Sequence, residues 1–160
     1  MTETAIGQRH VRRGRKMKYA YRLETKRVRE PDFPYPDKEL NCTKAVMEFS
    51  RSLQDSDIEK FLVLHLDAQH HLNCIQIIAG TLNQAVVYPR EVIRHSLLSA
   101  SCGMIFIHNH PSGNTKPSDA DIRLTRTLTD TAKLLDVQVL DHIIIGSENR
   151  FFSFREEGLL

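Results

Sequence analysis

The residues best suited to catalysis lie in one stretch of the 160-residue chain, from His108 to Asp121. A short apolar run, residues 104–107, precedes it and predicts a buried strand. Side chains of a strand alternate between its two faces, so His108 and His110 should point the same way and could share one metal ion. Pro111 cannot donate a hydrogen bond to a sheet, which predicts that the strand ends directly after His110.

A third metal ligand is predicted on the helix that follows. Ser118 is a favourable N-cap for a helix over residues 119–135. The inward face of this helix is formed by four apolar residues, Leu124, Leu128, Ala132 and Leu135. Asp121 precedes Leu124 by three residues and falls on the same face, where a carboxylate is costly unless it is paired. A cation shared with the two histidines would pair it. Two nitrogens and one carboxylate would leave a tetrahedral zinc ion one open position, as in catalytic zinc sites.

Hydrophobic periodicity predicts the elements that position this stretch. Helical spacing predicts one helix over residues 40–53 and another over residues 90–100, with Leu97 and Leu98 facing inward. Apolar and alternating runs predict strands over residues 61–67, 74–79, 86–88, 137–145 and 151–154. We therefore predict a mixed α/β fold in which about three helices wrap a mixed β-sheet, with the metal site at one end of the sheet.

Charge divides the chain into two parts. Residues 1–30 hold ten Lys and Arg against three acidic residues, a net charge of +7, whereas the other 130 residues hold twelve against seventeen, a net charge of −5. We predict a basic, partly flexible N-terminal segment, residues 1–36, and a metal-binding domain, residues 37–160. The segment is either a solvated tail or a contact for nucleic-acid phosphates. A nucleic-acid contact would use Arg12, Arg13, Arg15, Lys16 and Lys18.

Cysteine usage and hydropathy exclude several classes of protein. Cys42, Cys74 and Cys102 are far apart and odd in number, which argues against a disulfide framework and against a cysteine zinc site. No run of eighteen apolar residues occurs, and no apolar segment follows the basic N-terminus. We therefore expect a cytoplasmic protein with reduced thiols and no membrane contact.

The spacing of the site residues resembles a known signature. His-x-His, then Ser after seven residues and Asp after two more, is similar to the JAMM motif of the JAB/MPN metalloprotease superfamily. Further blocks narrow the resemblance to its RadC-like branch, historically tied to DNA repair: Gly80-Thr81-Leu82, Pro89-Arg90-Glu91-Val92, Pro117-Ser118 and Leu140-Asp141-His142-Ile143-Ile144. The resemblance covers about residues 40–160. The sequence shows no counterpart of the helix-hairpin-helix region of longer members. We therefore expect the short stand-alone type found on mobile elements and prophages.

The resemblance implies a set of ligands and catalytic groups. It implies one Zn²⁺ per chain, held by His108, His110 and Asp121. It also implies that Ser118 stabilises the developing negative charge. The general base of the superfamily is a glutamate just before an upstream strand, and Glu59 matches that place.

Two assignments stay open at this point. Glu91, in the Pro-Arg-Glu-Val block, is the alternative general base, or else a carboxylate favoured near a helix N-terminus. His142 is either an outer partner that orients a zinc ligand or a strand histidine paired with Asp141.

The activity implied by the resemblance is that of a zinc metalloprotease-type hydrolase, in which zinc-activated water attacks an amide carbonyl. A peptide or protein substrate with a peptide or isopeptide bond is expected. Asn109 stands where deubiquitinating members commonly have Ser or Thr, and their insertions have no counterpart, so ubiquitin-like substrates are not implied. The alternative is a DNA repair or recombination protein that binds nucleic acid, with a zinc site that acts on nucleic acid or is structural.

Overall fold

A five-stranded mixed sheet and three α-helices form the part of the chain that the computed structural model describes, residue 40 and residues 42–80 and 86–160. In chain order the elements are α1 (Thr43–Ser50), a short 3₁₀ helix (Arg51–Asp55), β1 (Lys60–Leu66), β2 (Leu72–Ala79), α2 (Pro89–Leu98), β3 (Gly103–Asn109), α3 (Asp119–Lys133), β4 (Gln138–Ile145) and β5 (Phe151–Ser153). The predicted mixed α/β class, with one sheet and three helices, is confirmed.

The sheet has the strand order β2-β1-β3-β4-β5. β1 is antiparallel to both of its neighbours, β5 is antiparallel to β4, and β3 and β4 run parallel. Parallel neighbours need a crossover connection, and α3 provides it. The predicted histidine strand, the helix that carries Asp121 and the strand that contains His142 therefore form one β3–α3–β4 unit.

Apolar side chains cover both faces of the central strands. On one face, leucines of β1 and isoleucines of β3 and β4 pack with Leu40, Val46 of α1 and Leu53. On the other face, Phe61, Val63, Met104 and Phe106 pack with residues of α2 and α3. Every residue of β3 is buried, as expected for a central strand covered on both sides. His108 is therefore held within the core, and His110 directly follows the strand.

Three sequence predictions of local structure are wrong. Residues 86–88 form no strand, and the side chains of Val86 and Tyr88 are more than half exposed, because β-branched and aromatic residues form a strand only beside a partner. Leu97 and Leu98 lie at the exposed end of α2, whose buried residues are Val92, Ile93 and Ser96. Leu135 is 42% exposed because α3 ends two residues earlier.

The basic segment 1–36 lies outside the described residues, together with its predicted nucleic-acid contacts Arg12, Arg13, Arg15, Lys16 and Lys18. The domain boundary at residue 37 therefore stays a prediction. Within the ranges that the structure covers, the helices are all too short or too polar to cross a membrane.

Asp141 joins the last two strands by its buried carboxylate. Its Oδ1 accepts hydrogen bonds from the backbone N–H groups of His142 at 2.7 Å and Arg155 at 3.1 Å. Its Oδ2 accepts from the Ser153 hydroxyl at 2.7 Å. The residue is only 6% exposed, so removing its carboxylate would leave buried donors without a partner.

We predict that Asp141→Ala lowers the free energy of unfolding by about 3 kcal/mol, because several charge-assisted hydrogen bonds are lost together. Urea unfolding followed by circular dichroism measures the change. Asp130→Ala is the matched control, since this carboxylate is exposed and lies 4.0 Å from its ion-pair partner Arg126. The control should change stability by less than about 0.5 kcal/mol. Equal effects of the two substitutions would contradict the prediction.

Candidate metal centre

Three predicted ligands converge where β3 ends and α3 begins. The Nε2 atoms of His108 and His110 lie 3.0 Å apart. Asp121 contributes Oδ1 at 3.4 Å from His108 Nε2 and Oδ2 at 3.5 Å from His110 Nε2. One donor atom from each of the three residues lies within 4.8 Å of the others, a spacing that allows a shared metal ion.

The loop after β3 is shaped by a close approach of two glycines. Gly113 has a positive φ of 74° and donates its N–H to the His110 carbonyl at 2.8 Å, which closes a turn. A Cβ atom at Gly146 would overlap the Gly113 carbonyl oxygen, so the chain after β4 must have glycine there. The loop then lies against the end of β4, and the Asn114 carbonyl contacts His110 Nδ1 at 2.6 Å.

Asp121 is held in place by the helix cap. Its Oδ2 accepts hydrogen bonds from the Ser118 backbone N–H at 2.7 Å and from the Ser118 hydroxyl at 2.6 Å. The Asp121 N–H donates in return to Ser118 Oγ at 3.2 Å, which completes a capping box. The first turn of a helix also favours negative charge. Ser118 therefore orients the third ligand through hydrogen bonds to its carboxylate.

The chemistry of the three donors fits a cation. The Asn114 carbonyl can only accept, so His110 Nδ1 carries a hydrogen and donates it. In a neutral His110 the lone pair is then on Nε2, which faces His108 Nε2 and the carboxylate. A cation between these nitrogens and the carboxylate would be stabilised by all three groups. The site therefore suits a metal ion that accepts imidazole and carboxylate ligands.

Comparison with known proteins agrees with this geometry. A family model described as a RadC-like JAB domain matches residues 40–159, a range that includes all three ligands. The chain belongs to the RadC-like JAB domain family. The resemblance predicted from the sequence is thereby confirmed, and the His-His-Asp cluster is the candidate metal site of this RadC-like domain.

Relatives of this RadC-like domain occur in several bacteria. A UPF0758 protein of Photobacterium profundum is 45% identical over 112 residues, which cover 69% of this chain and 50% of the relative. A UPF0758 protein of Alteromonas mediterranea is 41% identical over 139 residues, covering 86% of this chain and 59% of the relative. A third, from Stenotrophomonas maltophilia, is 48% identical over 103 residues, covering 64% of this chain and 44% of the relative. The chain spans about half the length of the curated relatives it matches.

The two candidate general bases lie in different surroundings. Glu59 directly precedes β1, and Phe61 of β1 is the sheet neighbour of His108. The backbone carbonyl of Glu59 accepts a hydrogen bond from Gly80 N–H at 2.9 Å. The negative charge of Glu59 contributes to raising the pKa of His110. Glu91 lies in the first turn of α2 and forms ion pairs with Arg90 at 3.4 Å and Arg94 at 3.6 Å. This influence of its charge on His110 favours Glu59, whose catalytic role stays a prediction.

Asn109, between the two histidine ligands, joins the β3 end to the segment that carries Glu59. Its Oδ1 accepts from Lys60 N–H at 2.9 Å. Its Nδ2 donates to the Ile58 carbonyl at 3.1 Å and to the Ser56 carbonyl at 3.4 Å. The residue is 1% exposed, so these bonds are shielded from water. Sequence reasoning identified Asn109 only as a departure from related enzymes; its position between two ligands is the signal that could have indicated a structural role.

The imidazole of His142 faces the metal site. Its Nε2 lies 2.8 Å from His108 Nδ1, and its Nδ1 lies 2.6 Å from the Thr125 hydroxyl. Asp141 bonds to the backbone N–H of His142, whereas the imidazole of His142 bonds to His108 and Thr125. The pairing with Asp141 and the contact with a metal ligand are therefore made by different groups of His142. Thr125 was missed by the sequence analysis, although it lies one helical turn after Asp121 and is buried.

Burial and charge set opposite protonation preferences for the two histidine ligands. Burial lowers the pKa of His108 to about 4, although the charge of Asp121 opposes it, and burial likewise lowers the pKa of His142. The hydrogen bond to Asp121 raises the pKa of His110 and outweighs burial, with smaller contributions from the Asn114 carbonyl and Glu59.

Asp121 is held in its ionised form. Burial alone would raise the pKa of this carboxyl group, but the hydrogen bonds from His110 and Ser118 and the charge of His108 lower it overall. The ionised carboxylate therefore favours a proton on His110 when no metal ion is bound.

We predict that His110 makes the stability of the metal-free protein fall as pH rises. A folded-state pKa above the unfolded value of about 6.5 stabilises the protein fully below that pH, and the stabilisation is lost as pH rises through the folded pKa. Urea unfolding in EDTA, at intervals between about pH 6 and pH 9, compares the wild type with His110→Gln. The stability advantage of the wild type should shrink across this range.

Added zinc provides the control for this experiment. Metal binding requires an unprotonated His110 Nε2, so the stabilisation by zinc should grow over the same pH range in which the metal-free advantage shrinks. A constant difference between the wild type and His110→Gln in EDTA would show that the proton does not substitute for the metal.

Proposed function

We propose that this RadC-like domain is a zinc-dependent amide hydrolase that acts on a peptide or isopeptide bond of a peptide or protein substrate. The observation that carries the proposal is the convergence of three donors, and no more than three, among the described residues. Catalytic zinc sites keep one position for water or substrate, whereas structural sites are closed by four protein ligands.

Exposure within the cluster supports access by a substrate. The His108 side chain is 1% exposed, whereas those of His110 and Asp121 are 18% and 13% exposed. The site is therefore anchored in the core by His108 and reaches the surface on the side of the other two ligands. A substrate carbonyl could approach from that side without a rearrangement of β3.

Each residue of the site has a proposed part in the reaction. Zinc, when bound, would polarise the substrate carbonyl and lower the pKa of a water molecule to roughly 7. Glu59 would accept a proton from the attacking water and deliver it to the leaving nitrogen. Ser118 would stabilise the developing oxyanion with its hydroxyl. In the structure this hydroxyl donates to Asp121, so the proposed oxyanion role requires Ser118 to rotate away from the carboxylate.

We predict that Glu59→Gln retains zinc but loses at least about 100-fold in peptide cleavage, because the glutamine keeps the shape of the side chain and removes its basicity. Zinc content is measured by mass spectrometry of the purified protein. Peptide cleavage is measured with a proteome-derived peptide library as the substrate. Glu91→Gln is the matched control and should keep full activity. The reverse pattern would make Glu91 the base.

Metal dependence tests the proposal itself. His110→Ala should lose both zinc and cleavage, because two ligands seldom hold zinc tightly. A wild-type protein without zinc, or cleavage that survives His110→Ala, would contradict a zinc hydrolase.

A nucleic-acid partner is a second candidate, favoured by the +7 charge of residues 1–30. Neutralising contacts release counterions, so affinity for DNA should fall steeply with salt. We predict that replacing Arg12, Arg13, Arg15, Lys16 and Lys18 by Gln in the full chain weakens DNA binding. The slope of log affinity against log salt should fall by about 0.9 for each lost phosphate contact.

Fluorescence anisotropy with a labelled duplex, over a range of salt concentrations, measures this slope. A matched variant neutralises five exposed cations of the folded domain, Lys44, Arg51, Arg90, Arg94 and Arg126. Its slope should equal that of the wild type. Equal slopes for all three proteins, or no binding by the wild type, would rule out the N-terminal contact.

A further inference from the structure

Three short hydrogen bonds connect one metal ligand to the backbone of another. His108 Nδ1 lies 2.8 Å from His142 Nε2, and His142 Nδ1 lies 2.6 Å from Thr125 Oγ1. Thr125 Oγ1 in turn donates to the Asp121 carbonyl at 2.6 Å. We call these contacts the Thr125–His142 relay. It joins β3, β4 and α3, the three consecutive elements of the crossover.

The direction of every hydrogen bond in the relay is fixed by its last member. A carbonyl oxygen can only accept, and a threonine hydroxyl has a single hydrogen, so Thr125 donates to Asp121 and must accept from His142 Nδ1. A neutral imidazole carries one N–H, which leaves the lone pair of His142 on Nε2. His108 Nδ1 must then donate to it, and the lone pair of His108 is placed on Nε2, the atom that faces the other ligands.

The surroundings of the relay exclude competing partners. His108, His142 and Thr125 are each at most 2% exposed, so bulk water does not reach the three contacts. Aromatic rings enclose His142: its ring centroid lies 4.7 Å from that of Phe154, 5.5 Å from Phe61 and 5.8 Å from Phe106. Burial in this apolar shell favours the neutral imidazole that the directional argument requires.

We infer that Thr125 is a positioning residue of the metal site, which acts through His142 to hold His108 in the tautomer that presents the Nε2 lone pair to the metal. The inference rests on the metal-binding part of the proposed function and does not depend on the bond that is cleaved. Without the Thr125 hydroxyl, the Nδ1–H of His142 loses its acceptor. His142 can then adopt the other tautomer and donate from Nε2. His108 would then carry its hydrogen on Nε2, where it blocks the metal.

Three variants test this role through metal affinity. Thr125→Val keeps the shape of the side chain and removes the hydroxyl, and it should weaken zinc binding between about 10-fold and 100-fold, the range typical of lost outer partners. Thr125→Ser restores a hydroxyl and should bind zinc within about 3-fold of the wild type. Thr127→Val is the control, because Thr127 makes the same bond to the carbonyl four residues earlier, at 2.9 Å, but is exposed. Competition with a chromophoric chelator measures the affinities at one pH.

The tautomers themselves are measured without metal. Nitrogen NMR of histidine-labelled protein in EDTA should show His108 and His142 each protonated at Nδ1 in the wild type. Thr125→Val should move the hydrogen of His108 wholly or partly to Nε2. Wild-type zinc affinity in Thr125→Val, or a His108 hydrogen on Nε2 in the wild type, would overturn the inference.

The two measurements separate this inference from the proposed function. Predicted tautomers in a wild-type protein that binds no zinc would support the relay and contradict the zinc hydrolase. Tight zinc binding with the opposite tautomers would contradict the relay and leave the hydrolase standing. The NMR measurement on the wild type also keeps the test decisive if Thr125→Val fails to fold.

Discussion

The 3.0 Å approach of His108 Nε2 to His110 Nε2, next to the Asp121 carboxylate, is the contact on which the rest of this structure depends. In the tautomers inferred above, both nitrogens present lone pairs beside a carboxylate and repel each other, so the fold has to hold them together. It does so from the far side of each ring: His142 holds His108, and the Asn114 carbonyl holds His110. A cation, or a proton in its place, removes the repulsion, and a site of this kind is organised for its ligand before the ligand arrives.

The topology brings every part of the site to one end of the sheet. β3 and β4 run parallel, so their carboxyl ends lie side by side, and the crossover helix α3 must begin at that same end. β1 runs antiparallel to β3, and its start, directly after Glu59, therefore lies at this end as well. Asn109 bonds the two strand ends together. Residues that are 62 positions apart in the chain, Glu59 and Asp121, thus lie near the same end of the sheet.

Local rules were sufficient to predict from the sequence the three residues that form the candidate metal cluster. Alternation along a strand put His108 and His110 on one side, and a helix cap followed by an inward carboxylate identified Asp121. The relay could not be predicted in this way. It depends on the register that places His142 beside Phe106 and on the way α3 crosses the sheet, and neither is determined by neighbouring residues. The structural role of Asn109 could not be predicted for the same reason, since its hydrogen-bond partners lie about fifty residues earlier. Residues 86–88 show the converse error, in which local propensity predicted a strand that pairs with no other segment among the described residues.

The carboxylate of Asp121 serves the helix cap and the candidate metal site at once. Oδ2 accepts both hydrogen bonds from Ser118 and lies 3.5 Å from His110 Nε2, whereas Oδ1 faces the buried His108 Nε2 at 3.4 Å. A metal ion held by Asp121 would draw on the same negative charge that now accepts the Ser118 hydroxyl. The orientation of Asp121 and the proposed stabilisation of an oxyanion would therefore exclude each other at any one moment, because the single hydroxyl hydrogen of Ser118 can serve only one acceptor at a time.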